Sequence, residues 1–119
     1  MKKNSFETQI LHTPFEKEDA HHSLSMPVYH TAAYEFETAE EMEAAFCGRT
    51  AGHAYSRITN PTVQYFEQRV QAVTGALSVT ALNSGMAAIS NALITLASAG
   101  ANIVTSAHLF GNTYSFLKS

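Results

Sequence analysis

The sequence predicts an α/β protein organised on a parallel sheet. Three observations carry that expectation. From Leu77 onward the chain reads strand, helix, strand, helix, a βα unit repeated. Each helical stretch before Gly100 opens on a turn or capping signal and stops at or before a glycine. The composition, 45% hydrophobic and 14% charged, is that of a packed domain rather than a disordered chain. Two strands leave faces and edges of a parallel sheet uncovered. The pattern therefore predicts the opening part of a larger α/β protein, with the 119 residues alone neither folding stably nor catalysing anything.

Residues 1–34 show no sustained period. Pro14, the run "EKED" and the pair His21-His22 predict an extended arm, continued by "SMPVYHTAAYEF". "TAEEMEAAFCG" then predicts a short helix over 39–47. Thr38 is its N-cap, Glu41 completes a capping box, and Glu40, Glu41 and Glu43 suit the positive end of the dipole. Met42, Ala45 and Phe46 form its apolar face, and Gly48 ends it. "NPTVQYFEQRVQAVTG" predicts a second helix, capped by Asn60, with Pro61 at its first position and Gly75 at its end. Val63, Phe66, Val70 and Val73 recur at helical spacing. Leu77 to Leu82 reads as a strand, Asn83-Ser84-Gly85 as a turn, and Met86 to Ala97 as a small-residue helix. Asn102 to Ser106 reads as a second, buried strand, "AHLFGN" as its loop, and Thr113 as the start of another helix.

Charge and composition exclude several classes. Net charge is −3 with no basic cluster, which argues against nucleic acid as the partner. The apolar stretch from Ala87 to Val104 is broken by Ser90, Asn91, Thr95, Ser98, Gly100 and Asn102, too many polar interruptions for a membrane span. No apolar segment follows Lys2 and Lys3, so the start is not a secretory signal. The single cysteine, Cys47, permits no intrachain disulfide and suits an intracellular setting. No paired Cys/His spacing points to a metal, and Cys47 reads as packing rather than a nucleophile.

Three stretches carry chemistry. Asn83-Ser84-Gly85-Met86 lies between a strand and a helix, where converging amides and the helix dipole hold anions. The alternative is an ordinary βα turn. Neither of the two familiar phosphate loops, G-x-x-x-x-G-K-[ST] and G-x-G-x-x-G, is present, so a nucleotide site of those types is disfavoured. In "HAYSRITNPT", Tyr55 and Arg57 lie two apart and point the same way if the loop is extended. A guanidinium fork and a phenol then reach one anion. The alternative is a surface arginine paired with a glutamate. In "HLFGN", Phe110 stands just past a strand's carboxyl end, where ligands sit in open α/β sheets, and offers a face for a flat ring. Its alternative is a place in the core.

Taken in order, "MPVYHTAAYEF", "AGHAYSRITNPT", "SGMAAI" and "HLFGNTY" resemble the N-terminal part of the Cys/Met-metabolism enzymes that use pyridoxal phosphate. The resemblance runs from about Phe6 to the last residue. It implies the start of a fold-type I transferase: an extended N-terminal arm with one helix over 1–52, and the beginning of the cofactor-binding large domain over 53–119. It implies that Tyr55 and Arg57 bind the cofactor phosphate of the neighbouring subunit, that Gly85 and Met86 hold the phosphate of their own site, and that Phe110 stacks on the cofactor ring. The family's usual residue at Phe110 is tyrosine, so stacking survives here and a proton-transfer role for a phenol does not. No lysine of this chain matches the family's Schiff-base motif, so no catalytic residue is assigned. The implied protein is a cytoplasmic homodimer or homotetramer acting on a small amino-acid substrate. The activity it points to is O-acetylhomoserine sulfhydrylase, which replaces acetate with a sulfur nucleophile in methionine biosynthesis. Methionine γ-lyase and cystathionine γ-synthase or lyase are the alternatives within the family. A non-catalytic fragment offering a phosphate-binding and interface edge is the alternative from another class.

Overall fold

The computed structural model of the chain describes residues 5–15 and 20–118. The run 16–19, the lysines Lys2, Lys3 and Lys17, and Ser119 lie outside the described residues. Five helices follow in order: α1 (Phe6–Leu11), α2 (Ala39–Phe46), α3 (Pro61–Thr74), α4 (Gly85–Leu96) and α5 (Gly111–Lys118). The chain divides into two compact units, Met1–Thr80 and Ala81–Ser119.

In the first unit the arm is not wholly extended, because α1 interrupts it. Ser5 caps that helix by accepting from the Thr8 amide. Glu7, in its first turn, has its carboxylate pKa lowered by its own backbone amide first and by the Ser5 hydroxyl second. So short a helix is marginal by itself. It is held by α3, against which it packs. Phe6 and Ile10, one turn apart, share an apolar groove of about 580 Å³ with Tyr65, Phe66, Val70 and Val73. The missed signal was that pair behind a serine cap, too short to register as a period. Further along the arm, the Thr13 carbonyl accepts from the Tyr65 hydroxyl at 3.0 Å, and Phe15 meets the Tyr65 ring edge-on.

Helix α2 is capped as expected, with the Thr38 hydroxyl accepting from the Glu41 amide at 3.1 Å. The Glu41 carboxylate, however, reaches the amide of Glu37 rather than that of Thr38. The box thus closes one residue early. Gly48 takes a φ of +67° just past the C-cap, the left-handed conformation that glycine adopts without steric cost.

Helix α3 begins at Asn60, and this residue ties the unit together. It is 8% exposed. Its side-chain oxygen accepts from the Thr62 amide at 2.8 Å, the expected cap. Its side-chain nitrogen lies 3.0 Å from the Tyr29 carbonyl, 3.0 Å from the Tyr34 hydroxyl and 2.9 Å from the Ser56 hydroxyl. Tyr29 also donates its amide to the Thr62 hydroxyl at 2.8 Å. Beside this hub, Ser56 donates its amide to Ala32 and Tyr34 donates its amide to Ala54. An antiparallel bridge joins Ala33 to Tyr55. Arm and loop are therefore stitched by polar contacts rather than by an apolar core; no apolar side chain is buried among the described residues.

The strands expected at Leu77 to Leu82 and Asn102 to Ser106 are not formed. Apart from the Ala33–Tyr55 bridge, no pairing is present among the described residues. A strand is defined by its ladder, and neither segment has a neighbour to pair with. Val104, expected inside, is 98% exposed, and Leu77 is 97% exposed. No helix among the described residues is long and apolar enough to cross a membrane.

In the second unit, Ser84 caps α4 by accepting from the Ala87 amide at 3.1 Å. The polar residues within α4 are absorbed locally: Asn91 donates to the Ala87 carbonyl and Thr95 to the Asn91 carbonyl. Helix α5 starts two residues before the expected Thr113, since the Phe110 carbonyl already accepts from the Tyr114 amide at 3.0 Å. Met86 and Thr113 meet near the starts of α4 and α5, and Leu93, Ile94, Phe116 and Leu117 line one hollow further along both. The two helices therefore run in the same direction.

Replacing Asn60 tests the hub. Asn60→Ala is expected to cost about 1 kcal/mol for the lost cap and about 0.5–1.5 kcal/mol for the lost donor to the partly exposed acceptors at Tyr29, Tyr34 and Ser56. Asn60→Asp keeps the cap acceptor and recovers only the first part. Urea unfolding and amide exchange at Tyr34 and Ser56 would measure both; an alanine variant of native stability and exchange would remove the hub.

Candidate functional site

The loop carrying Tyr55 and Arg57 is a turn rather than an extended run. The Tyr55 carbonyl accepts from the amides of Ile58 at 2.9 Å and Thr59 at 3.0 Å. The turn still brings the two side chains together, with the Arg57 guanidinium 5.0 Å from the centre of the Tyr55 ring. A guanidinium over an aromatic ring is held by a cation–π attraction, which does not consume its N–H donors. Arg57 forms no ion pair and no hydrogen bond among the described residues, so its pairing with a glutamate does not occur. Arg49 is the arginine so engaged, 2.8 Å from Glu43. Between Tyr55 and Arg57, Ser56 faces the other way and is fastened to the arm through Ala32, Thr31 and Asn60. The anchored serine presents its two neighbours outward.

His53, two residues before Tyr55, is placed by the same stitching. Its ring lies 5.7 Å from that of Tyr34, tilted by 43°. Its Nδ1 is buried and has no hydrogen-bond partner among the described residues.

In the second unit the structure gathers Gly85, Met86 and the α5 start that follows Phe110. The amides of Gly85 and Met86 stand in the first turn of α4, where no helical carbonyl can reach them, and they make no hydrogen bond among the described residues. A Cβ added at Gly85 would meet nothing within 4 Å, so this helix end is open to a ligand. Thr113, 8% exposed, is 4.0 Å from the Met86 sulfur and pins the start of α5 beside the start of α4. Phe110 immediately precedes α5 and is 77% exposed. It is therefore not packed inside this unit. The starts of α4 and α5 lie side by side and the Phe110 ring just before α5 is uncovered; amides at a helix start suit an anion, and an exposed aromatic ring suits a flat partner.

Ser56, Asn60 as a hub, His53 and Thr113 escaped the sequence reading as contributors to these arrangements. Asn60 was legible as a cap, but its bonds to Tyr29 and Tyr34 span 31 and 26 residues and leave no local pattern. Among the described residues, no group of His, Cys, Asp and Glu is placed to hold a metal. Cys47 is exposed at the C-cap of α2.

Comparison with known proteins gives a consistent picture. The sequence profile of the Cys/Met metabolism PLP-dependent enzymes matches residues 7–119. O-acetyl-L-homoserine sulfhydrylase 1 of Thermus thermophilus is 42% identical over 113 residues, covering 95% of this chain and 27% of the relative. L-methionine gamma-lyase of Pseudomonas putida is 40% identical over 112 residues, covering 94% and 28%. The crystal structure of an O-acetylhomoserine (thiol)-lyase from Campylobacter jejuni, which carries N'-pyridoxyl-lysine-5'-monophosphate, superposes with a TM-score of 0.86 at 36% identity, covering 96% of this chain and 28% of that one. The chain spans about a quarter of the length of the curated relatives it matches.

Gly85→Ala separates folding from anion binding. Open space at Cβ and the better helix propensity of alanine should leave the melting temperature unchanged or raised. A methyl group at this helix start should weaken phosphate binding about tenfold, the equivalent of one charge-assisted bond at about 1.5 kcal/mol. Phosphate titration by calorimetry reads it, and native affinity would mean that the anion does not sit at this amide.

Proposed function

The chain belongs to the Cys/Met metabolism PLP-dependent enzyme family, and from that premise we propose that the protein is a pyridoxal-phosphate enzyme of sulfur amino-acid metabolism. The observation that carries the reading is the cradle in the second unit: the unbonded Gly85 and Met86 amides, an open approach at Gly85, and the start of α5, preceded by exposed Phe110, held beside them by Thr113. The donor chemistry fits the cofactor. Amides at a helix start suit a phosphate carrying most of two negative charges, and an aromatic ring suits a pyridine face.

Bound pyridoxal phosphate supplies an electron sink for breaking bonds at the α- and β-carbons of an amino acid. The chain's own residues do the holding. Gly85 and Met86 donate their amides to the phosphate of their own site, and Phe110 stacks on the ring and fixes its plane. Phe110 has no hydroxyl and moves no proton. Tyr55 and Arg57, in the first unit, donate a phenol and a guanidinium edge to the phosphate held by a neighbouring subunit. That assignment accounts for an exposed arginine that forms no ion pair among the described residues. Lys118 is occupied otherwise, its ammonium 5.3 Å from the Tyr114 ring. At the far end of α5 from Phe110, it is not a candidate for the covalent attachment of the cofactor.

Within the family we assign O-acetylhomoserine sulfhydrylase, with acetate replaced by a sulfur nucleophile. The support is the stretch "NIVTSAHLFGNTYSF" and the names of relatives such as those from Thermus thermophilus and Corynebacterium glutamicum. The proposed protein is cytoplasmic, takes a small amino-acid substrate, and assembles as a homodimer or homotetramer with sites shared between subunits. Incubation with O-acetylhomoserine and sulfide tests the activity: homocysteine release supports it, whereas methanethiol release from methionine without homocysteine formation would reassign the protein as a γ-lyase.

Arg57→Ala is expected to weaken cofactor retention by about 10- to 100-fold, the loss of one charge-assisted bond at about 1.5–3 kcal/mol. Equilibrium dialysis measures it. Mixing Arg57→Ala chains with Gly85→Ala chains should restore tight binding at half the sites of the mixed dimers, because each mixed dimer then contains one site with both native groups. If subunit exchange is verified and no tight sites return, Arg57 and Gly85 do not meet across subunits.

Phe110→Tyr should keep the cofactor, whereas Phe110→Ala should loosen it by about 2- to 10-fold, from a stacking contribution of about 0.5–1.5 kcal/mol. The absorbance spectrum of the bound cofactor should shift in the alanine variant alone. An alanine variant with native spectrum and affinity would remove Phe110 from the site.

A further inference from the structure

We propose that His53 is a positioning residue for the phosphate grip formed by Tyr55 and Arg57, acting through its buried Nδ1. This inference rests on the reading of that pair as phosphate ligands.

Three observations converge on His53. Its ring packs on Tyr34, whose hydroxyl is 3.0 Å from the Asn60 side-chain nitrogen and 3.3 Å from the Ser56 hydroxyl. The imidazole therefore leans on the same hub that anchors Ser56, the residue between Tyr55 and Arg57. The backbone on either side is also fixed: the Ala54 carbonyl accepts from Tyr34, and Ala33 bridges Tyr55. A shift of the ring is thus passed to the turn within one or two residues. The third observation is the orphaned Nδ1, buried and without a partner.

That orphan distinguishes a functional nitrogen from simple packing. Buried polar groups are nearly always hydrogen-bonded, and an exception calls for an explanation, which on this proposal is a bond gained in the assembled site. A phenyl ring would pack on Tyr34 without leaving a nitrogen desolvated. The imidazole is the better choice only if Nδ1 gains a bond. The place for that bond is the assembled site, where a phosphate draws the Tyr55–Arg57 turn into its working position. His53 does not touch the phosphate; it sets where the turn stands.

The experiment uses the full assembled protein and compares two probes, pyridoxal phosphate and pyridoxal, which lacks the phosphate. His53→Phe keeps the ring and should bind pyridoxal phosphate about 5- to 10-fold more weakly, with pyridoxal binding unchanged. His53→Asn places an amide group where Nδ1 stands and should return to within about twofold of native affinity, whereas His53→Gln, whose amide reaches the Nε2 position, should not. Should His53→Phe fail to fold, the comparison of Asn with Gln carries the test. Equal affinities for those two variants, or native affinity in His53→Phe, would overturn the proposal. Equal weakening for both probes would also overturn it, since the effect would then lie outside the phosphate grip. Arg57→Ala measured in parallel separates the two levels. If Arg57→Ala weakens pyridoxal phosphate binding while the His53 variants do not, only the role of His53 fails. If Arg57→Ala also binds normally, the assignment of the grip fails with it.

Discussion

The Asn60 side chain is the contact on which the first unit depends. One amide group caps α3, receives the arm at Tyr29 and Tyr34, and steadies the turn at Ser56. A primary amide suits the position because it joins an acceptor to a two-hydrogen donor on one rigid plane. Aspartate would supply the acceptor and lose the donor, and serine is too short to serve both sides. The adjoining Pro61 has no backbone N–H, so the start of the helix costs no donor there and the amide of Thr62 is the first that needs a cap. Local capping chemistry and long-range stitching are thus carried by the same residue.

This dual use explains why parts of the fold were legible in the sequence and others were not. The α2, α3 and α4 helices announce themselves through Thr38, Asn60-Pro61 and Gly75, and the structure places their caps at Thr38, Asn60 and Ser84. Caps are local, with donor and acceptor within a few residues, so a single sequence contains both partners. Helix α1 was missed because its stability comes from α3, more than fifty residues away. The strands have no ladder here for the converse reason. Leu77 to Leu82 and Asn102 to Ser106 have strand-like composition, but a ladder belongs to a pair of segments, and no pairing partner stands beside either. Apolar character alone did not place Val104 inside.

The helices nevertheless retain the directional logic that the strands lack. Helices α4 and α5 start together and run the same way, as consecutive helices do when each follows a strand of one parallel sheet. The functional consequence is that two helix starts face one space. Antiparallel helices would set a positive end beside a negative one and dilute the field. The candidate residues of this unit were singled out because they lie at or just before helix starts, which sequence marks well. The Met86–Thr113 contact that brings the starts together was not, since it joins two ordinary side chains 27 residues apart.

The relatives share this segment while bearing the names of different reactions, sulfhydrylase and γ-lyase among them. The chemistry of the segment accounts for that sharing. Backbone amides such as those of Gly85 and Met86 only donate hydrogen bonds, the Arg57 guanidinium offers donors and no acceptor, and Phe110 carries no polar group. On the proposed reading these groups fix an anion and a ring plane, tasks common to every reaction run on the same cofactor. A preference between replacement and elimination requires groups that move protons or distinguish a sulfur nucleophile from water. Phe110 has no hydroxyl, so on that reading it handles no proton. On the same proposed reading, these groups bear on how a cofactor is held and not on which bond is broken.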